Sequence, residues 1–277
     1  MLMVSQTATD TANEKFWNEL CGTHLANTLG ITDSSPASLK KFDDWYMDFY
    51  PYLYDHIPLR DLAGKDVLEI GLGYGTVSQL LAESGAHYSG LDIAAGPVAM
   101  SNKRLQRLGC PQAATQGSIL NAPFVDASFD FIVAIGCLHH TGNLQRAIDE
   151  CNRLLRPGGR LIFMVYNAYS YRRFVRARRE TVRYWLREMV GYRGPVAGGT
   201  AAERGAYDAN ESGDAAPHTD FISSRSLARL CQRFSSFTSK TENIDQEPPF
   251  VWRPRPELLK TKWPKRFGLD IYATAIK

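Results

Sequence analysis

Residues 67–77 read Val-Leu-Glu-Ile-Gly-Leu-Gly-Tyr-Gly-Thr-Val, and Asp92 closes the next apolar run. Few patterns restrict a fold so tightly. Val67 to Ile70 is a short apolar run ended by glycine, the mark of a buried strand. Gly71, Gly73 and Gly75 let the chain turn sharply and bring bare backbone against a ligand. Thr76 to Glu83 supplies the following helix. A carboxylate about twenty residues past the first glycine, at the end of the strand Tyr88-Ser-Gly-Leu-Asp92, is placed to accept hydrogen bonds from a ribose diol. The unit is βαβ, and its crevice suits a nucleoside.

The loop departs from the dinucleotide fingerprint G-x-G-x-x-G, because its third glycine comes one residue early and Thr76 stands where Gly or Ala is required. No G-x-x-x-x-G-K-[ST] element is present to cradle a phosphate chain. Glu69, just before the loop, repels a pyrophosphate but suits an ammonium group. A ligand with ribose, adenine, a cationic amino-acid tail and no phosphate is S-adenosylmethionine. The segment from about Lys65 to Tyr166 resembles the class I S-adenosylmethionine-dependent methyltransferase family in its small-molecule branch. Its parts come in family order: VLEIGLGYG, GLDIA, GSILNAPFVDASFDFIVAIGCLHH and RLLRPGGRLIF. The flanking thirds, where such enzymes recognise substrates, carry no such match.

The resemblance implies a doubly wound α/β fold with a seven-stranded, mostly parallel sheet, its last two strands an antiparallel hairpin. The residues themselves alternate accordingly. Strands are predicted at 66–70, 86–91, 112–116, 129–135, 159–166, 237–244 and 269–276, and helices at 75–84, 95–108 and 144–155. Pro157-Gly158-Gly159 reads as a tight turn into the fifth strand. Four segments follow: an N-terminal helical extension over 1–60, a cofactor-binding core over 61–167, an insertion covering the substrate over 168–222, and the rest of the core over 223–277. Residues 1–12 are polar and read as disordered. Helical stripes run through Phe16, Trp17, Leu20, Cys21, His24 and Leu25, and through Phe42, Trp45, Tyr46, Phe49 and Tyr50. Between 170 and 190, Tyr171, Phe174, Val175, Val182, Trp185, Leu186 and Met189 share a stripe expected to dock on the protein, leaving the arginines solvated. An anionic-substrate pocket is the other use of those arginines. The 191–217 stretch is too long for a simple connection and reads as a lid or a disordered segment.

Composition narrows the class. Five scattered cysteines without C-x-x-C pairing fit reduced thiols and no metal site. No basic-then-apolar leader opens the chain and no apolar run is long enough to cross a bilayer, so a cytoplasmic enzyme is expected. A net charge of +3 gives no reason to expect nucleic acid as a partner.

By motif position, the resemblance places Gly71, Gly73 and Gly75 against the methionine and ribose, Glu69 at the ammonium, Asp92 at the ribose hydroxyls and Ile93 on the adenine face. Ser118 stands where the family usually has Asp for the adenine amine. Ile119 offers its N–H to a ring nitrogen, and Gly136 its carbonyl to the cofactor's amino group. His139 and His140 follow the fourth strand, at the sheet edge where open α/β folds bind ligands. His139 is the favoured base for an oxygen or nitrogen nucleophile, with His140 packing or bonding to backbone; both being structural is the alternative. His218, Thr219 and Asp220 can enter the pocket from the end of the long loop. The implied activity is methylation of a small-molecule or natural-product acceptor by in-line displacement. The alternatives are a cofactor-binding protein of the same fold without transferase activity, or an RNA or protein methyltransferase.

Overall fold

The computed structural model describes residues 5–18, 26, 28–31, 33–111, 113–210 and 212–277. The expected stripe positions Leu20, Cys21, His24 and Leu25 lie outside them, as does Gln112 at the start of the third predicted strand.

Five parallel strands form the centre: β1 (Asp66–Ile70), β2 (His87–Asp92), β3 (Ala114–Gln116), β4 (Phe129–Ile135) and β5 (Leu155–Asn167), in the order β3-β2-β1-β4-β5. Two antiparallel strands, β9 (Asp270–Ile276) on β5 and β8 (Ser236–Glu242) on β9, complete the seven expected. The sheet has nine strands rather than seven. The extra two come from the insertion. β7 (Asp220–Ile222) runs parallel to β5, pairing Phe221 with Tyr166 and Ile222 with Asn167, and β6 (Val196–Ala197) lies antiparallel to β7. Since β4 pairs only as far as Met164, β5 outruns it, and the edge left open beyond β4 pairs with β7.

Ile132, Val133 and Ala134 of β4 and Leu161 and Phe163 of β5 are fully buried, as a parallel sheet covered on both faces requires. Helices α3 (Thr76–Glu83) and α4 (Ala95–Arg107) cover one face, where Leu81 and Leu105 pack with Val67. Helix α5 (Leu144–Leu154) covers the other through Leu144, Ala147, Ile148, Cys151 and Leu154. Each such leucine contributes about 1.5–3 kcal/mol relative to exposure. The Pro157-Gly158-Gly159 turn is absorbed into β5 as an irregularity in its register with β4, between Phe129 and Phe131.

From Gln6 to Ala12 the chain is helical where disorder was expected. Helix α1 (Gln6–Asn18) is tied to the loop after β4, Gln6 Nε2 donating to the Thr141 carbonyl at 2.8 Å and Asn13 Nδ2 to that of His140 at 2.7 Å. A polar sequence gives no hint of such long-range bonds. Helix α2 (Pro36–Phe49), capped by the Ser35 hydroxyl, is fastened to α4 through Asp43, which accepts from Arg104 at 2.7 and 2.9 Å.

The predicted helix over 170–190 breaks at Ala177 into α6 (Tyr171–Arg176) and α7 (Arg178–Met189). Its docking face is also corrected. Thr181, Tyr184 and Glu188 point inward, while Val182, Trp185, Leu186 and Met189 are exposed. Glu188 decides this orientation, because the hydroxyls of Tyr169, Ser223 and Ser226 all donate to it.

Candidate active site

The carboxyl ends of β1, β2 and β4 open into a cavity of about 620 Å³, covered by α1, α2 and the insertion. Its wall includes Glu69, Gly71, Gly73, Asp92, Ile93, Ser118, Ile119, Gly136 and His140. Gly75 and His139, both expected there, are not part of it.

The glycine loop is shaped by two close approaches. At Gly71 the backbone has φ +77°, and a Cβ would stand 2.4 Å from that of Cys137. Only glycine lets the loops after β1 and β4 meet. Gly75, at φ +76°, turns away from the cavity, and its missing Cβ makes room for Arg104. The Arg104 side chain donates to the Tyr74 carbonyl at 2.8 Å and so holds the loop from behind. Gly75 is therefore a support of the loop rather than part of the wall.

Glu69 is buried and accepts from the hydroxyls of Ser78 at 2.5 Å and Tyr88 at 2.6 Å. Loss of hydration pushes its pKa up to about 8, against the pull of those two bonds. Asp92 accepts from the backbone N–H of Leu72 at 2.7 Å and of Ala94 at 2.9 Å, clamping the glycine loop to the end of β2. Burial raises its pKa, and those backbone donors oppose the rise. The Ser118 hydroxyl caps a turn of 3₁₀ helix by accepting from Leu120 N at 3.2 Å.

The two histidines part company. His139 is fully buried, its ring 4.1 Å from the centroids of both His140 and Tyr166. Burial first, then the neighbouring His140 and His218, hold its pKa well below the ordinary value. It was expected on the cavity surface as the base, and it is not part of the cavity wall. His140 does line the cavity. Its Nδ1 lies 2.7 Å from the His218 carbonyl. A carbonyl only accepts, so Nδ1 carries the proton and Nε2 keeps its lone pair. That Nε2 lies 3.4 Å from Asp208 Oδ2. Burial lowers the pKa of His140 and raises that of Asp208, each partner opposing the other's shift. Tyr166 donates its hydroxyl to Asp208 at 3.0 Å. His218, Thr219 and Asp220 stay outside the wall; the first two touch it only through His140.

Sequence reasoning missed Asp208, which sits in the Gly/Ala-rich insertion without any motif around it. It also missed Asp10, in a segment read as disordered, and Asn13, just before the first helical stripe. Trp17, Trp45, Tyr46 and Tyr50, all on the two helical stripes visible in the sequence, line the cavity too. The wall carries the carboxylates of Asp10, Glu69, Asp92 and Asp208 and, among the described residues, no lysine or arginine. Carboxyl groups with no cation among them take a cationic tail readily and a pyrophosphate poorly, so the lining fits an adenosyl sulfonium amino acid.

Residues 68–163 match the methyltransferase domain family. This span contains the glycine loop, Asp92, Ser118 and the paired histidines. The core of the chain is a class I S-adenosylmethionine-dependent methyltransferase domain. The chain is 34% identical over 114 residues to a demethylmenaquinone methyltransferase of Tropheryma whipplei, covering 41% of this chain and 46% of that protein. It is 32% identical over 149 residues to a ubiquinone biosynthesis O-methyltransferase of Pseudomonas aeruginosa, covering 47% of this chain and 63% of the relative. The chain thus spans about half to under two thirds of the length of these relatives. A solved geranyl diphosphate C-methyltransferase of Streptomyces coelicolor A3(2) shares the fold over 97% of each chain, with a TM-score of 0.53 at 15% identity. The insertion that brings Asp208 to His140 lies beyond the family match.

Proposed function

We propose that this protein transfers a methyl group from S-adenosylmethionine to an oxygen or nitrogen of a small, neutral or cationic acceptor. One observation carries the reading: a cavity walled by four carboxylates and without lysine or arginine among the described residues, over a methyltransferase glycine loop. The same observation argues against the anionic acceptor considered from sequence, since the arginines of α6 and α7 lie outside the wall. The O-methyltransferase relative supports oxygen as the atom methylated.

Glu69 would hold the ammonium group, and Gly71, Gly73 and Gly136 would let the backbone come close to the amino-acid tail. Asp92 would take the ribose hydroxyls with the oxygen capacity its two backbone donors leave. Ile93, Ser118 and Ile119 would receive the adenine. When bound, the cofactor supplies a methyl carbon made electrophilic by its sulfonium. Alignment of an acceptor can contribute roughly 7–11 kcal/mol to such a displacement, and a general base about 10²–10⁴ in rate. The protein's first task is therefore to position the acceptor and exclude water, which Trp17, Tyr50 and Tyr207 do as aromatic cover. Removing the acceptor's proton falls to the His140–Asp208 pair, both residues of which line the cavity, with Asp208 beside the imidazole to balance its charge.

Calorimetry with S-adenosylhomocysteine and with NAD separates this reading from a nicotinamide site: binding of the first alone is expected. Formation of S-adenosylhomocysteine from S-adenosylmethionine across a panel of phenol, alcohol and amine acceptors then tests transfer. Cofactor binding without turnover on any of them would favour a non-transferase role.

A further inference from the structure

The outer face of α7 is apolar and uncovered. Trp185 is 50% exposed, Leu186 54% and Met189 65%, with Val182 between them, whereas the inner face is locked by Tyr184 and Glu188. An exposed run of this size on a helix that is otherwise well anchored marks a contact surface rather than a packing accident. At 3.6 residues per turn, Arg179, Arg183 and Arg187 form the sector next to the apolar one. Arg178, Arg179 and Arg183 are exposed and form no ion pair among the described residues. A second exposed apolar cluster involves α6 and the turn near the C-terminus. Exposed Phe174 meets Phe267 at 6.0 Å between ring centroids, and Phe267 meets exposed Trp263 at 5.8 Å. Trp263 is flanked by Lys260, Lys262, Lys265 and Arg266, all exposed and likewise in no ion pair among the described residues. These are seven exposed cations without an ion pair among the described residues, in a chain whose net charge is +3.

We infer that the face formed by α7 and the Trp263–Phe267 turn docks on an anionic lipid surface. An apolar helical sector bordered by arginines, with tryptophans at its margin, is the composition that lies in a bilayer interface. No helix among the described residues is long and apolar enough to cross a membrane, so this contact is peripheral. A second copy of the chain is a poorer occupant, because a two-fold interface would set these cations against themselves. A nucleic acid would engage the arginines and lysines but leave Leu186 and Met189 in water. The inference stands apart from what the cavity binds.

Vesicle sedimentation of the full chain tests it. Binding is expected to phosphatidylcholine vesicles containing about one third phosphatidylglycerol, weakening as salt rises, and not to phosphatidylcholine alone. Arg179→Ala with Arg183→Ala should reduce partitioning about 25-fold, roughly fivefold for each charge. Leu186→Glu should reduce it at least about tenfold. Both sites are solvent-exposed, so circular dichroism should report unchanged folding. Absence of binding to the anionic vesicles at low salt overturns the inference. So does Leu186→Glu binding as well as the parent, which would mean plain polyanion adsorption, including RNA. A dimer in sedimentation velocity that Leu186→Glu dissociates would assign the face to self-association instead.

Discussion

Glu69→Gln should abolish a proton release that accompanies cofactor binding. Burial puts the Glu69 pKa at about 8 in the ligand-free cavity, so about nine in ten molecules carry it neutral at pH 7. A ligand ammonium beside it stabilises the carboxylate and expels the proton. Binding of S-adenosylhomocysteine at pH 7 should therefore release close to one proton, roughly 0.9. Affinity should rise by up to about tenfold per pH unit from pH 6 towards 8, then level off. The assay is titration calorimetry in two buffers of different ionisation enthalpy. Glu69→Gln keeps the shape and an acceptor for Ser78 and Tyr88 but cannot ionise, so its apparent enthalpy should not depend on the buffer. Asp92 also has a raised pKa, and any release that survives in Glu69→Gln belongs to it. A wild-type protein that binds without proton release would refute the placement of the ammonium at Glu69. Linkage adds a check on the free protein. The folded-state pKa of Glu69 lies above the unfolded one, so its ionisation costs stability progressively as pH rises from about 4.5 to about 8. Relative to Glu69→Gln, the wild type should therefore weaken across that window.

His140→Ala should lower turnover by about 10²–10⁴-fold with little change in cofactor affinity, whereas His139→Phe should stay within a few-fold of wild type; the reverse order in steady-state kinetics would return the base role to His139. His139 is held neutral in the fold, so wild-type stability relative to His139→Phe should fall as pH drops below about 6.5, as urea titrations at several pH values can show. Gly71→Ala combines a left-handed φ of +77° with a Cβ 2.4 Å from that of Cys137, and should cost about 2–5 kcal/mol in urea unfolding. Gly109→Ala has a φ of +69° but nothing within 4 Å, and should cost only about 1–2 kcal/mol.

The central strands and the helices α3, α4 and α5 were legible because each is decided locally. A buried parallel strand must be almost wholly apolar, as in Phe-Ile-Val-Ala-Ile135, and a covering helix must repeat its apolar residues every three or four positions, as Leu144 to Leu154 do. Gly71 was legible for a similar reason, since only glycine tolerates that turn and that approach. The helix over 170–190 went wrong because its stripe is real but its burial was decided elsewhere. Three hydroxyls, of Tyr169, Ser223 and Ser226, converge on Glu188 and rotate the polar side inward. Residues 6–12 were misjudged because the groups that tie α1 down are backbone carbonyls more than a hundred residues away.

By itself, then, the sequence determined the βαβ core, the class of ligand its crevice accepts and the positions of the main strands along the chain, all consequences of short-range spacing and backbone sterics. Only the tertiary structure decided which of two adjacent histidines meets the cavity, that Asp208 stands beside it, and that α7 turns its apolar side to solvent. Those outcomes depend on where distant polar groups find partners. A chain's local pattern holds no record of that, because hydrogen bonds and buried charges are satisfied in three dimensions.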